Sequence, residues 1–166
     1  TLARSPARFL MQLTVHSVCG RLPAWVSAGV DEYQRRLPRE LNLVWRDLPL
    51  ARRTRSSKPQ SLREQEGEQL LKGLSTDDTL IALDVRGKAL ATEALAESLQ
   101  AWQMSGCGVS FLIGGPDGLS SPCLQRAAQT WSLGRLTLPH PLVRVVLAEQ
   151  LYRAWSIIAG HPYHRG

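Results

Sequence analysis

The last six residues of the chain, 161–166 (HPYHRG), carry a dense set of side chains able to do chemistry. Two histidines, a tyrosine and an arginine can donate and accept hydrogen bonds, stack on a base and pair with a phosphate. The histidines stand three residues apart, but no acid or cysteine accompanies them at the spacing of metal ligands, so a metal site is not indicated. Two interpretations remain open: a solvated terminus, or one part of an active site.

A second candidate is His140, which stands between Pro139 and Pro141. The two prolines hold the backbone extended and so fix the direction in which the imidazole points. Imidazole titrates near neutral pH, which suits a group that accepts a proton or orients a ligand. A lone histidine is as often structural, and the residues alone leave both interpretations open.

The stretch 141–158 is apolar on nearly all sides, which is typical of a helix buried in its own domain or against another subunit. Arg144 falls in an apolar row of this helix, where an unpaired guanidinium is costly. Glu149 and Arg153 stand four apart on another face and can form an ion pair. The pattern permits a snorkelling arginine beside an ordinary helix ion pair, or two guanidiniums held at a subunit contact and available to RNA phosphates.

The motif GGPDG at 114–118 allows a close approach of the backbone to a ligand, since three of its five residues lack a β-carbon. Pro-Asp-Gly is also a strong turn signal, and Ser121 followed by Pro122 suits the N-cap and first residue of a helix. The motif matches neither a P-loop nor the spaced glycines of a dinucleotide fold. Read alone, it is more typical of a strand-to-helix turn than of a cofactor loop.

Twenty Lys and Arg residues outnumber fourteen Asp and Glu residues, and the formal net charge of +6 favours polyanionic partners, nucleic acid first. Part of this charge lies in the segment LARRTRSSKPQS, whose low apolar content predicts a solvated basic loop. The cations of this loop are Arg52, Arg53, Arg55 and Lys58. No serine lies in a nucleophile-elbow pattern, so hydrolase chemistry is not supported.

The length of 166 residues fits one domain, and a hydrophobic content of 43% is typical of a globular protein. No run of about eighteen apolar residues is present, so a membrane partner is not expected. Three scattered cysteines without a CxxC pair indicate neither a disulfide framework nor a zinc site, and they fit a reducing cytoplasm. We expect residues 1–10 to be a disordered leader or expression remnant, and 11–166 to form the single domain.

Strand-like and helix-like periods alternate along the chain, which predicts an α/β fold with a mostly parallel sheet flanked by helices. The predicted strands are Met11–Val18, Leu41–Leu48, 79–85, 108–115 and 131–138; the predicted helices are 23–37, 62–74, 92–103 and 141–158. Ligands bind such sheets beyond the carboxyl ends of the strands. That rule selects the segments LDVRGK, GGPDGLSSP and LTLPHPLV.

The segments LDVRGK, FLIGGPDGLS and WSLGRLTLPHPLVRVVLAEQLYRAWSIIAGHPYHRG, with WVSAGVDEYQRRLP and EGEQLL before them, closely resemble the RlmH (YbeA-type) family. Its members are SPOUT-class methyltransferases that modify N3 of a pseudouridine in large-subunit ribosomal RNA. The resemblance runs from Met11 to Arg165 in the same order. It implies a homodimer, a deep trefoil knot in the carboxyl-terminal part of the fold, and S-adenosyl-L-methionine as cofactor.

The resemblance also reverses the interpretation of the glycine turn, because the two loops that accompany it in the family are present here as well. Carried over by position, the cofactor-binding residues are Leu83, Gly114, Gly115, Leu133, Gly134, Arg135, Leu136, Thr137 and Leu138. We expect Gly115→Val to abolish cofactor binding by filling the space of the ligand and by resisting an unusual backbone angle.

Methylation of an imide nitrogen requires the N–H proton to leave and the nitrogen to align with the methyl group. The protein must therefore position the base against the cofactor, stabilise the charge that develops and accept a proton. The candidate catalytic residues are His140, Arg153, Tyr163, His164 and Arg165, and the candidate RNA-binding residues are Arg52, Arg53, Arg55, Lys58 and Arg144. We expect the tail 161–166 to lie over the pocket of the partner subunit. Two alternatives remain: a non-catalytic ribosome-binding protein, and a SPOUT methyltransferase with another RNA target.

Overall fold

The structure, a computed structural model, describes residues 11–165, and a five-stranded sheet with the order β2-β1-β4-β3-β5 lies at its centre. Every neighbouring pair of strands is parallel, which confirms the predicted fold class. The strands are β1 (Met11–Val18), β2 (Leu41–Leu48), β3 (Thr79–Ala89), β4 (Val109–Ile113) and β5 (Gln129–Ser132). The predictions for residues 1–10 and for Gly166 lie outside the described residues.

Helices cover both faces of the sheet. The helices are α1 (Ala24–Gln34), α2 (Pro59–Lys72), α3 (Thr92–Ser105), α4 (Ser121–Arg126) and α5 (His140–Ala159), followed by a short 3₁₀ helix (Pro162–Arg165). Helix α5 packs between α1 and α3 on one face, while α2 packs against α4 on the other. Within the described residues, no helix is long and apolar enough to cross a membrane.

Alternation of side chains along the strands divides the core between the two faces. Ile81 and Phe111 join the cluster beneath α3 and α5, whereas Ala82 and Leu112, one residue later in each strand, join the cluster beneath α2 and α4. Strand β4 is buried along its whole length, as expected for the central strand of a parallel sheet. The short apolar runs in the sequence therefore become the middle of the sheet.

Several predicted boundaries shift by a few residues, and two of the shifts have a clear physical cause. The strand expected at 131–138 ends at Ser132, because the Ser132 hydroxyl accepts a hydrogen bond from the amide of Gly134 and donates to its carbonyl, which turns the chain away from the sheet. The N-cap of α4 is Ser120 and not Ser121, since the Ser120 hydroxyl accepts a hydrogen bond from the amide of Cys123, three residues ahead.

Residues 133–139 return the chain from the edge of the sheet to its interior. Strand β5 is an outer strand, yet the residue that begins α5, His140, lies 3.0 Å from the Ser17 hydroxyl at the end of β1. Strands β3 and β4 separate β5 from β1, so the connection crosses their carboxyl ends. The expected trefoil knot depends on this crossing and stays a prediction of the family resemblance.

A chain of hydrogen bonds around the buried side chains of His16 and Ser110 ties five parts of the fold together: β1, β2, β4, α2 and the residue before β3. A guanidinium only donates, so Arg46 donates to Nδ1 of His16 (2.9 Å), which leaves the ring proton on Nε2. Nε2 then donates to Ser110 (3.0 Å), and Ser110 donates to Asp78 (2.9 Å). Arg46 also donates to carbonyls in the last turn of α2. Burial, then the charge of Arg46, lowers the pKa of His16 from its usual 6.5 to about 4.

This pKa predicts that His16 makes the fold sensitive to acid. As the pH falls from 6.5 towards 4, the unfolded chain takes up a proton that folded His16 refuses, so the free energy of unfolding decreases by about 3 kcal/mol. Urea unfolding of the wild type and of a His16→Gln variant between pH 7 and pH 4 measures this contribution, because carboxylates that titrate in both proteins cancel in the difference. A wild-type advantage that stays constant over this pH range would contradict the prediction.

Candidate functional site

A pocket of about 350 Å³ lies where the carboxyl ends of β3, β4 and β5 meet. Its walls are the end of β3, the turn 114–118 after β4, and the crossing segment 133–139 with the first residues of α5. The volume falls within the range of small-molecule sites. All three segments selected from the sequence therefore converge on one cavity.

The turn 114–118 folds tightly on itself, which explains its glycines. The amide of Gly118 donates to the carbonyl of Gly115 at 3.0 Å, and Gly118 has a φ of 86°, a conformation that favours glycine. A β-carbon on Gly114 would lie 2.5 Å from the carbonyl carbon of Gly118. A side chain at position 114 is thus incompatible with the turn that forms the pocket wall.

The physical reason given for Gly115 is wrong. Its backbone lines the pocket, but a β-carbon there would point towards Glu66, 2.5 Å from Oε2, and Glu66 is not a lining residue. The φ of Gly115 is not positive, so no unusual backbone angle is involved. A side chain at position 115 would displace Glu66 behind the turn and would leave the ligand space itself open.

Among the residues carried over from the crossing segment, four line the pocket and two do not. The lining residues are Leu133, Gly134, Leu136 and Leu138. Arg135 and Thr137 are exposed and do not line the pocket, and their assignment to the cofactor stays a prediction.

Asp84, which the sequence interpretation missed, places a carboxylate in the pocket wall beside Leu83. An irregularity in the pairing of β3 with β5 between Leu83 and Lys88 sets this residue outside the regular ladder. Two hydrogen bonds from Arg86, each 3.1 Å, lower the pKa of Asp84 and keep it ionised. The sequence feature that could have identified Asp84 is its position as a polar residue directly after a buried strand. Because Arg86 pairs with both carboxylate oxygens, the charge of Asp84 is largely neutralised, and these oxygens remain as hydrogen-bond acceptors in the pocket wall.

His140 lines the same pocket and is held as a neutral imidazole. Its Nε2 lies 3.0 Å from the Ser17 hydroxyl, while Nδ1 is buried without a hydrogen-bond partner among the described residues. Burial, then the positive charge of Arg144, lowers the pKa of His140 below its usual value. A buried polar atom without a partner is costly, so a polar group of a bound ligand fits here.

Arg144 has a structural role in place of the expected contact with RNA. Its side chain is 5% exposed and makes two hydrogen bonds to Asp47, at 2.6 and 3.3 Å, while its guanidinium lies 4.4 Å over the ring of Trp45. A buried guanidinium in a bidentate pair has no free face for a phosphate. The sequence placed Arg144 correctly in an apolar row of the helix, but its partner Asp47 lies on β2.

All four cations of the basic loop are exposed, but Arg53 also forms ion pairs within the protein. Arg52, Arg55 and Lys58 are exposed and fit their assignment to RNA. Arg53 instead bonds the buried carboxylate of Glu66 at 2.9 Å and that of Asp117, in the glycine turn, at 3.0 Å. Arg53 therefore does not present a free charge to a phosphate.

The tail folds back on the end of its own helix α5 through Tyr163, while His161, Pro162 and Arg165 are exposed. The Tyr163 hydroxyl donates to Glu149 at 2.9 Å, and its ring centroid lies 4.5 Å from that of Tyr152. The guanidinium of Arg153 sits 4.8 Å over the Tyr163 ring and also bonds Glu149. Burial, then Glu149, raises the pKa of Tyr163 to about 12.

The tail and His140 lie at opposite ends of α5. The twenty residues of this helix span about 29 Å at 1.5 Å per residue. Arg153, Tyr163, His164 and Arg165 are thus not brought to the pocket of their own chain. Among the described residues, no group of three or more His, Cys, Asp or Glu side chains is placed to hold a metal ion.

Comparison with known proteins gives a consistent result over nearly the full length. The family model described as "Predicted SPOUT methyltransferase" matches residues 11–164. Proteins named "Ribosomal RNA large subunit methyltransferase H" from Hahella chejuensis and Saccharophagus degradans are 50% and 52% identical over 155 residues, which is 93% of this chain and 99% and 100% of theirs. The protein of that name from Acidithiobacillus ferrooxidans is 54% identical over 156 residues, 94% of this chain and 98% of its own.

Solved structures support the fold alone. A methylase family protein from Neisseria gonorrhoeae matches with a TM-score of 0.51 and 14% identity, covering 91% of this chain and 86% of its own. A methylase family protein from Haemophilus influenzae matches with a TM-score of 0.53 and 10% identity, covering 92% and 69%.

The geometry of the turn predicts that Gly114→Ala weakens the binding of S-adenosylmethionine at least tenfold, because about 1.4 kcal/mol of distortion in the pocket wall already changes affinity by that factor. Gly106→Ala is the matched control. Gly106, with a φ of 71°, ends α3 and has no atom within 4 Å of an added β-carbon, so this variant loses stability through its backbone alone. Calorimetry that finds equal affinity in both variants would contradict a role for the turn in the pocket.

Proposed function

The chain belongs to the SPOUT methyltransferase family, and on that basis we propose that it methylates N3 of a pseudouridine in the large-subunit ribosomal RNA, using S-adenosylmethionine, in the cytoplasm. The observation that carries the proposal is about 50% identity, over almost the whole chain, to proteins named as large-subunit ribosomal RNA methyltransferases. The net charge of +6 and the exposed cations of the basic loop favour an RNA substrate.

The pocket suits the chemistry of this cofactor. Leucine and tryptophan side chains supply apolar walls for the adenine ring, and the backbone of the glycine turn offers polar groups at close range. The carboxylate oxygens of Asp84 in the pocket wall can accept hydrogen bonds from the cofactor, for example from its α-ammonium group. When bound, S-adenosylmethionine supplies a methyl group already activated for transfer.

His140 is the residue of the pocket best suited to the proton of the imide. If Nε2 donates to Ser17, the lone pair of Nδ1 is free to accept the hydrogen bond of N3–H and so orient the base. The N3 proton passes to Nδ1 first, and the electron pair that it leaves on N3 is the pair that would then bond to the methyl group. Burial and Arg144 disfavour the charged imidazole, so His140 returns this proton readily to solvent.

A complete site requires a second copy of the chain. Since the tail lies at the far end of α5 from its own pocket, we place it over the pocket of a partner subunit in a homodimer. There the exposed Arg165 stabilises charge on the uracil carbonyl or on flanking phosphates, and His164 supplies a further polar contact. Arg153 contacts the RNA and Tyr163 stacks on a base once they exchange their contacts with Glu149 and Tyr152 for contacts with the substrate. Exposed Trp25 on α1 and Leu142 on the adjacent α5 supply apolar surface for the subunit contact.

A deletion strain tests the function directly. Ribosomal RNA from this strain should lack one methyl group on one large-subunit pseudouridine by mass mapping, and the wild-type gene should restore it. Loss of a methyl group at another nucleotide would establish a different RNA target. An unchanged RNA, together with no binding of S-adenosylmethionine by calorimetry, would establish a non-catalytic ribosome-binding protein.

The proton-acceptor role predicts that His140→Gln lowers kcat roughly 100-fold and leaves the affinity for the cofactor within a few-fold. Because the pKa of His140 is lowered, the acid limb of the wild-type activity should lie at a pH below the ordinary pKa of histidine. This acid limb should be absent from the residual activity of the variant. An identical acid limb in both proteins would assign the titration to another group.

Heterodimers with defined defects test the shared site. One arrangement puts Gly114→Ala and deletion of residues 163–166 in the same subunit; the other puts one defect in each subunit. A tail that acts on the partner's pocket leaves the first heterodimer inactive and gives the second about half of the wild-type activity, since one pocket then meets one intact tail. The opposite pattern would show that each tail serves its own pocket.

A further inference from the structure

The turn 114–118 has a second face that the mechanism does not use. One face lines the pocket, while the other packs against helix α2. Gly67 of α2 allows this contact, because a β-carbon there would lie 2.2 Å from the Ser120 hydroxyl just after the turn. Arg63, also on α2, donates to the backbone carbonyl of Asp117 at 3.3 Å. The pocket wall is therefore supported from behind by α2.

Glu66 is the unusual member of this support. Its carboxylate is 4% exposed and faces Gly115, where a β-carbon would come within 2.5 Å of Oε2. A buried carboxylate costs free energy unless a cation pairs with it. Arg53 supplies that cation, and the same nitrogen also bonds Asp117. One guanidinium thus joins the helix behind the turn to the turn itself.

Arg53 belongs at the same time to the basic loop. Arg52, Arg55 and Lys58 lie within five residues of it and are exposed. Arg53 also donates to the carbonyl of Ala51, so its side chain is fixed to the backbone of this loop. Phosphates that bind the three exposed cations restrain the loop and, through it, the position of the guanidinium.

We propose that Arg53 and Glu66 are positioning residues that couple RNA on the basic loop to the cofactor pocket, so that each ligand tightens the binding of the other. The inference rests on the proposed function, since it takes the loop as an RNA contact and the pocket as the cofactor site. Coupling of this kind is reciprocal: the factor by which RNA raises cofactor affinity equals the factor by which cofactor raises RNA affinity.

Equilibrium dialysis with labelled S-adenosylhomocysteine, which cannot transfer a methyl group, measures this coupling. Large ribosomal subunits from a deletion strain supply the unmodified RNA. For the wild type, we expect the subunits to raise the affinity for S-adenosylhomocysteine by roughly five- to tenfold. In Arg53→Met and in Glu66→Gln, the affinity without RNA should fall several-fold, and the increase on adding the subunits should disappear.

Neighbouring residues provide matched controls. Arg52→Met removes the same charge from the loop but touches neither Glu66 nor Asp117, so it should weaken the binding of ribosomal subunits and leave cofactor affinity without RNA within twofold. Glu68→Gln removes a carboxylate from the exposed side of the same helix and should change neither. The double variant Arg53→Met/Glu66→Gln should lose no more coupling than either single variant, because both act through one contact.

The same variants distinguish an effect on stability from an effect on coupling. Arg53→Met leaves a buried carboxylate without its cation, whereas the double variant removes that charge and should recover thermal stability without recovering coupling. Equal loss of cofactor affinity in Arg52→Met and Arg53→Met would overturn the proposal, as would an Arg53→Met protein that still responds to the subunits. Failure of the wild type to bind S-adenosylhomocysteine at all would instead overturn the proposed function.

Discussion

Residues 133–139 must carry the chain from β5, at one edge of the sheet, to the start of α5 beside β1, and the site depends on this path. The crossing passes the carboxyl ends of β3 and β4, where a parallel sheet leaves room for a ligand. It therefore closes the pocket on one side and delivers His140 to it. The same path fixes the direction of α5, so the tail follows the far end of a twenty-residue helix whose first residue lines the pocket.

The net charge does not show which cations are free to meet a substrate, because some of them are paired with carboxylates of the protein. Of the five cations assigned to RNA, Arg144 is paired with Asp47 and Arg53 with Glu66 and Asp117. Both pairs join parts of the chain that lie far apart in sequence, and both adjoin the pocket. Arg144 lowers the pKa of His140, and Arg53 supports the glycine turn. Cations close to an active site can thus serve its geometry and its electrostatics without touching the substrate.

The packing of the tail has a related consequence. Tyr163 is held by Glu149 and Arg153, so the terminal residues extend the surface of α5 as an ordered element. An ordered element at the far end of a long helix presents its side chains at little entropic cost when a second copy brings a pocket to it. The order of the tail and its distance from its own pocket together favour a site made by two subunits.

Local signals in the sequence sufficed to predict the α/β class, four of the five strands, the position of the glycine turn and the three segments that form the pocket. Strand alternation, helical period and turn residues are local signals, and burial of a parallel sheet leaves few ways to arrange them. The packing of strands and helices set which side chains meet. Arg144 pairs with Asp47, 97 residues away, and Gly115 faces Glu66, because these contacts depend on how strands and helices stack and not on spacing along the chain. Asp84 lines the pocket beside an irregularity in β3 pairing, and Arg135 and Thr137 lie outside the lining, since the direction of a side chain is set by the backbone path that carries it.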